Sequence, residues 1–365
     1  MSLYPDAPIA IGTPVEDVPQ PIKPKRALSA HKALQARGWP SGLAEAFEKS
    51  VRSFPLRIVV VDNSYSMEMC DGKVLVEEHD DKKKCRAITC SRWTELTRLC
   101  LEMGEVAQAC GAPTHFNLLN ASEHGQYFAV GDDGNGPLRK QVDVAYGTDS
   151  FELAMSTSPN GSTPLTESVR KIISLVRPME QKLRTAGQQV VVVLATDGLP
   201  NNSRTFLSTL QELQSLPVWI IVRLCTNEDS VVDYWSDLDR QLERPLETLD
   251  DLESEAKEIG AKNPWLAYAP ALHVARTMGL RDKLFDLIDE RPLAAAQVKY
   301  LMELLSGCSG LDEPEMDFEA FVAQVERLQS ELPLVYNPAV RKMTGWIDTD
   351  KLAHSLGKAG ACAIM

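Results

Sequence analysis

Three short stretches place oxygen donors at points where the chain turns. Asp62, Ser64 and Ser66 alternate in DNSYS, Thr163 sits in GSTPL, and Asp197 sits in ATDG. Two carboxylates and three hydroxyls make a hard donor set with few formal charges. Such a set suits Mg²⁺, which keeps part of its water shell and prefers octahedral geometry; Mn²⁺ and Ca²⁺ accept the same donors. Ser64 and Ser66 would ligate through hydroxyls of one loop and Thr163 from a second. Asp62 and Asp197 would bind directly or through water. One position then remains for an outside ligand, and an acidic side chain of a partner protein balances the dication best. Singly, each stretch has a local explanation: a strand end, a helix cap, a Thr-Pro helix start, an Asp-Gly turn. Their joint occurrence is what points to a metal.

The elements around these stretches decide whether the donors meet. Residues 57–62 (RIVVVD) predict a short buried strand. Val190–Thr196 is apolar on both faces, so it predicts a central strand. Residues 164–176 predict a helix with Leu165, Val169, Ile172, Ile173 and Val176 on one stripe. Further strands are expected at 115–119, 126–130 and 218–225. Helices are expected at 44–51, 93–109, Thr148–Met155, 204–213 and 230–242. Strands separated by helices predict an α/β fold with a doubly wound, mostly parallel sheet. Strand carboxyl ends and helix amino ends share one edge of such a sheet. The three loops therefore converge.

The set Asp62/Ser64/Ser66, then Thr163, then Asp197 resembles the von Willebrand factor A domain and its metal-ion-dependent adhesion site. The family pattern is D-x-S-x-S, a threonine in a G-x-T-type loop, and a T-D-G aspartate. All five positions match in order, and the resemblance spans 55–260. It implies a six-stranded sheet with one short antiparallel edge strand, for which 126–130 is the candidate. It also implies metal-mediated protein binding rather than catalysis. Tyr65 stands where the family often has glycine, a large side chain at the rim that could narrow the site or contact the partner. A polar insertion at 69–90 is a second departure. Its two alternating arms around Asp80 and Asp81 predict a hairpin beside the site, placed to gate it or to select the partner.

The rest of the chain divides by composition. Residues 1–30 are a proline-rich flexible leader. Beyond Pro264 the pattern is helical only, which predicts a helical extension over 264–350 with helices at 266–278, 283–288, 293–305 and 318–328. A flexible tail follows at 351–365. It ends in Cys362-Ala363-Ile364-Met365, a C-a-a-X box whose methionine favours a farnesyl group on Cys362. One such lipid gives only reversible membrane attachment. The start has neither a basic n-region nor an apolar h-region, so no secretory signal is expected and the cytoplasm is the expected compartment. Cys70, His79, Cys85 and Cys90 lack paired C-x2-C spacing, so they read as free thiols rather than a zinc knuckle.

The net charge is −13, which argues against a nucleic-acid binder, since that needs a basic face. The excess is concentrated at 226–259, read as solvated helix faces or, alternatively, a docking surface for a basic partner. An enzyme acting on a phosphate or carboxylate through the same metal is the second functional class. It lacks an evident base; Glu68 and Asp71 are the nearest acids in sequence. A phosphotransferase of the haloacid type would need an aspartate where Ser64 stands.

Overall fold

The computed structural model describes residues 29–78, 81–132, 144–244, 246–314 and 316–362, and only the backbone of 77, 78, 81–84 and 357–362. The leader up to residue 28, His79 and residues 363–365 of the C-a-a-X box lie outside the described residues.

β1 (Leu56–Val61, LRIVVV) is buried along its whole length. Its branched side chains favour the extended backbone, and packing on both faces removes any need for polar alternation. A hairpin follows in the chain, β2 (Gly72–Glu78) against β3 (Asp81–Cys90), as the insertion predicted. The sheet continues with β4 (Thr114–Ser122), β5 (Gly125–Val130), β6 (Val144–Tyr146), β7 (Val190–Thr196), β8 (Val218–Leu224) and β9 (Glu247–Leu249). Its order is β6-β5-β4-β1-β7-β8-β9. Every pair is parallel except β4 with β5. The fold is therefore α/β with a doubly wound, mostly parallel sheet.

The sheet has seven strands rather than six. β5 runs antiparallel to β4 but is not the edge, because β6 pairs outside it in the same direction as β5, so two strands run against the other five. β6 and β9 are three residues each, too short for an alternation to be legible in the sequence.

Alternate residues of the central strands feed two cores. Leu56, Ile58, Val60, Val190, Val192 and Leu194 pack with the helices Leu165–Val176, Ser203–Gln214 and Asp229–Arg240. Val59, Val61, Val191, Val193 and Ala195 face the other way, toward the helices Arg92–Cys110 and Thr148–Met155. The C-terminal part packs into that second core through Trp265, Phe285, Leu301, Phe321 and Trp346. Arg57, fully buried on β1, ties it down by donating from Nε to the Met278 carbonyl at 2.8 Å. Desolvation lowers that guanidinium to about 10.

The C-terminal part is not purely helical. Its helices Pro270–Thr277, Ala295–Ser306 and Phe318–Glu331 are joined by a small hairpin, β10 (Val335–Asn337) with β11 (Lys342–Thr344). Residues 283–288 form turns instead of the expected helix; Asp282 accepts from the Leu284 and Phe285 amides and holds the chain in a turn. The expected flexible tail is also corrected: Thr349–Cys362 is a helix. It buries Leu352 and Leu356, one turn apart on one face. No described helix is long and apolar enough to cross a membrane.

The acidic stretch is partly internal. Glu255 and Glu247 pair with Arg276, which is itself buried, and Glu253 pairs with Lys73 of β2. Asp251 caps the helix Leu252–Lys262. These acids hold the chain together, so the stretch is not simply a set of solvated helix faces.

Candidate metal centre

β1 and β7 end side by side, with Val61 opposite Ala195. Asp62 and Asp197 are therefore the first residues beyond two neighbouring strands. The Asp62 amide donates to the Ala195 carbonyl at 2.9 Å. The Asp62 carboxylate accepts from the Ser64 amide on Oδ1 (2.9 Å) and from the Thr196 hydroxyl on Oδ2 (2.6 Å). Ser64 opens a single 3-10 turn over Tyr65–Glu68. That turn brings the Ser64 and Ser66 hydroxyls to 3.0 Å, and Ser66 donates to Asp197 Oδ1 at 2.8 Å.

The second loop is fastened to the first by backbone. The Tyr65 amide donates to the Gly161 carbonyl (3.2 Å) and the Asn160 amide to the Asn63 carbonyl (2.7 Å). Asn63 also clips β4: Oδ1 accepts from the Asn120 amide at 2.8 Å and Nδ2 donates to the Asn120 carbonyl at 2.9 Å. Asn120 in turn donates to the Ser162 carbonyl at 2.8 Å. Gly161 is required here. Its φ is +79°, and a Cβ would fall 2.4 Å from Asn120 Oδ1. Thr163 follows, half-buried beside Gly198, whose Cβ position would be 3.6 Å from Thr163 Oγ1. Four of the five expected donors thus form one hydrogen-bonded chain, and Thr163 stands next to it.

Burial grades across this patch. Asp62 is fully buried, Ser64 and Asp197 are nearly so, and Ser66 is exposed. Burial pushes the Asp62 carboxyl up to about 6, against the opposing pull of its Ser64 and Thr196 bonds. Among the described residues its partners are uncharged donors. A buried carboxylate of this kind calls for a cation. The donor set and the unbalanced charge fit a hard dication. The set comprises two carboxylates and three hydroxyls, and the described residues hold no cluster of three or more His, Cys, Asp and Glu side chains that could bind a metal.

Asp197 differs from Asp62. Its Oδ2 accepts from Arg92 Nη1 at 2.9 Å, and Arg92 is buried. The same guanidinium reaches Asp71 at 2.7 and 2.6 Å and Glu228 at 2.8 Å. The Arg92 bond holds the Asp71 carboxyl below its ordinary value. Arg92, Thr196, Asn63 and Asn120 did not stand out from the sequence alone. Arg92 left one signal there: a cation in the first turn of a helix opposes the helix dipole, so something else must require it.

Tyr65, the expected rim residue, is 66% exposed; Met69, four residues on, and Leu199, two residues beyond Asp197, are also open to solvent. The hairpin beside them is braced at its foot. Lys73 Nζ bonds Glu253 at 2.7 Å and the Lys73 amide bonds Glu95 at 2.8 Å. Cys70 and Cys90 are free thiols.

No protein-family model matches the chain, and a search of curated proteins finds no match either.

Proposed function

We propose that this chain is a metal-dependent protein-binding module of the von Willebrand factor A type. Asp62, Ser64, Ser66, Thr163 and Asp197 would hold Mg²⁺, with Mn²⁺ and Ca²⁺ as competent substitutes. The ion would take an Asp or Glu side chain of a partner protein at its outer position. The observation that supports this most directly is the fully buried Asp62 carboxylate, which meets only uncharged donors among the described residues, linked through Ser64 to the exposed Ser66. A cation seated between them would neutralise the first and be reachable from solvent past the second. Exposed Tyr65 would meet the partner at the rim. We place the protein in the cytoplasm. A farnesyl group on Cys362 would give it transient contact with a membrane.

A metal-dependent enzyme acting on a phosphate or carboxylate is the weaker assignment. Asp71, one of the two nearby acids, is engaged by Arg92 through two hydrogen bonds and so is poorly placed to take a proton.

The test is affinity capture with wild type and Thr163→Ala, each in Mg²⁺ and in EDTA. Partners retained only by wild type in Mg²⁺ are expected. Identical captures in all four conditions would overturn the assignment.

A further inference from the structure

We propose that Arg92 is a built-in competitor of the dication, and that Asp71 and Glu228 set how strongly it competes. This rests on the assignment of the three loops as a divalent-cation site.

The geometry is a shared carboxylate. Asp197 faces Ser66 with Oδ1 (2.8 Å) and Arg92 with Oδ2 (2.9 Å). Whatever cation sits among the hydroxyls must therefore share the charge of Asp197 with a fixed guanidinium. Arg92 cannot withdraw into solvent: its side chain is 2% exposed and is held from three sides. Like charges on one carboxylate repel, and burial leaves that repulsion poorly screened. Arg92 thus weakens the site for its metal while it aims the Asp197 carboxylate.

Asp71 and Glu228 act in the opposite sense. Both draw on the guanidinium's charge, at 2.6 and 2.8 Å, and both side chains are about half exposed. They come from separate elements. Asp71 is at the foot of the β2–β3 hairpin, and Glu228 is the cap residue of the helix Asp229–Arg240. A charge brought to either at the surface would be felt at the metal through Arg92. The hairpin and the acidic helix are therefore electrostatically coupled to the site without touching the ion.

The experiment is a calorimetric titration of Mg²⁺ into the metal-stripped full chain and its variants. Arg92→Gln is expected to tighten Mg²⁺ on the order of ten-fold. Arg92→Lys keeps the charge and is expected to stay within about three-fold of wild type. Asp71→Asn and Glu228→Gln, both at exposed groups, are each expected to weaken Mg²⁺ about three-fold. A purely structural Arg92 predicts the reverse for Arg92→Gln, a loss of affinity, and no effect at the two surface acids. Either result in a folded protein would overturn the proposal while leaving the metal site standing. If Arg92→Gln does not fold, Asp71→Asn and Glu228→Gln decide it. Absence of Mg²⁺ binding in wild type and every variant would overturn both the proposal and the metal assignment.

Discussion

The Thr196 hydroxyl donates to Asp62 Oδ2 at 2.6 Å, linking the ends of the two central parallel strands. Thr196 is itself fully buried, so neither group has water as a substitute partner. Thr196→Val keeps the shape and removes the donor. It is expected to cost about 1–3 kcal/mol, the usual loss when a buried acceptor is left unpaired. A bound dication would serve the freed oxygen. The stability gap between wild type and variant is therefore expected to be smaller in saturating Mg²⁺ than in EDTA, as read from urea melts. An equal gap in both would separate Asp62 from the metal.

Asn63 does its work sideways. Its amide satisfies both the N–H and the carbonyl of Asn120, fixing the first loop against the end of β4. Asn63→Ala is expected to destabilise the fold by about 1–3 kcal/mol and to weaken Mg²⁺ as well, because Ser64 is the next residue. Asn63→Asp restores only the acceptor and is expected to recover part of the loss. Full Mg²⁺ affinity in Asn63→Ala would show that the loop holds its shape without this clip.

Burial raises the Glu102 carboxyl from 4.5 to about 7. The folded state then binds more protons at this group than the unfolded state between those two values. Its contribution to stability is greatest below about pH 4.5 and is lost as the pH rises through about 7. Glu102→Gln removes that loss. The variant is expected to match wild type near pH 4.5 and to exceed it on the order of 1–2 kcal/mol at pH 8, in paired denaturant melts. A constant difference across pH would contradict the burial argument.

Arg276 bonds Glu255 and Glu247 at 2.9 Å each, joining the acidic stretch to the C-terminal part. Arg276→Met would leave both acids without that charge. A destabilisation of about 3–5 kcal/mol is expected, as for other broken buried pairs. The double variant Arg276→Met/Glu255→Gln is expected to recover part of it. No recovery would mean that the packing of Arg276, rather than its charge, is what matters.

The parts of this fold that were legible in sequence share a physical cause. β1 and β7 are rich in β-branched residues, and the helix Leu165–Val176 has a clean apolar stripe, so each announces its own class. The convergence of the three loops was legible because strand ends and helix starts share one edge of such a sheet. What failed was short or held by tertiary contact. β6 and β9 exist because β5 and β8 offer them an edge to pair with. The helix Thr349–Cys362 carries Gly357 and Gly360 and reads as a loose tail, yet Leu352 and Leu356 anchor it. The role of Arg92 was hidden for a different reason: beyond its odd place in a helix's first turn, its partners Asp71, Asp197 and Glu228 lie far apart in the chain and meet only in the fold.

The most direct measurement is a Mg²⁺ titration followed by calorimetry on three proteins: wild type, Asp62→Asn and Ser66→Ala. Asp62→Asn keeps the size of the side chain and removes its charge; Ser66→Ala removes an exposed hydroxyl and leaves the core alone. Saturable one-site binding is expected in wild type, with strong loss in Asp62→Asn and at least ten-fold weakening, roughly, in Ser66→Ala. Equal binding in all three, or none in wild type, would contradict a metal seated on these loops.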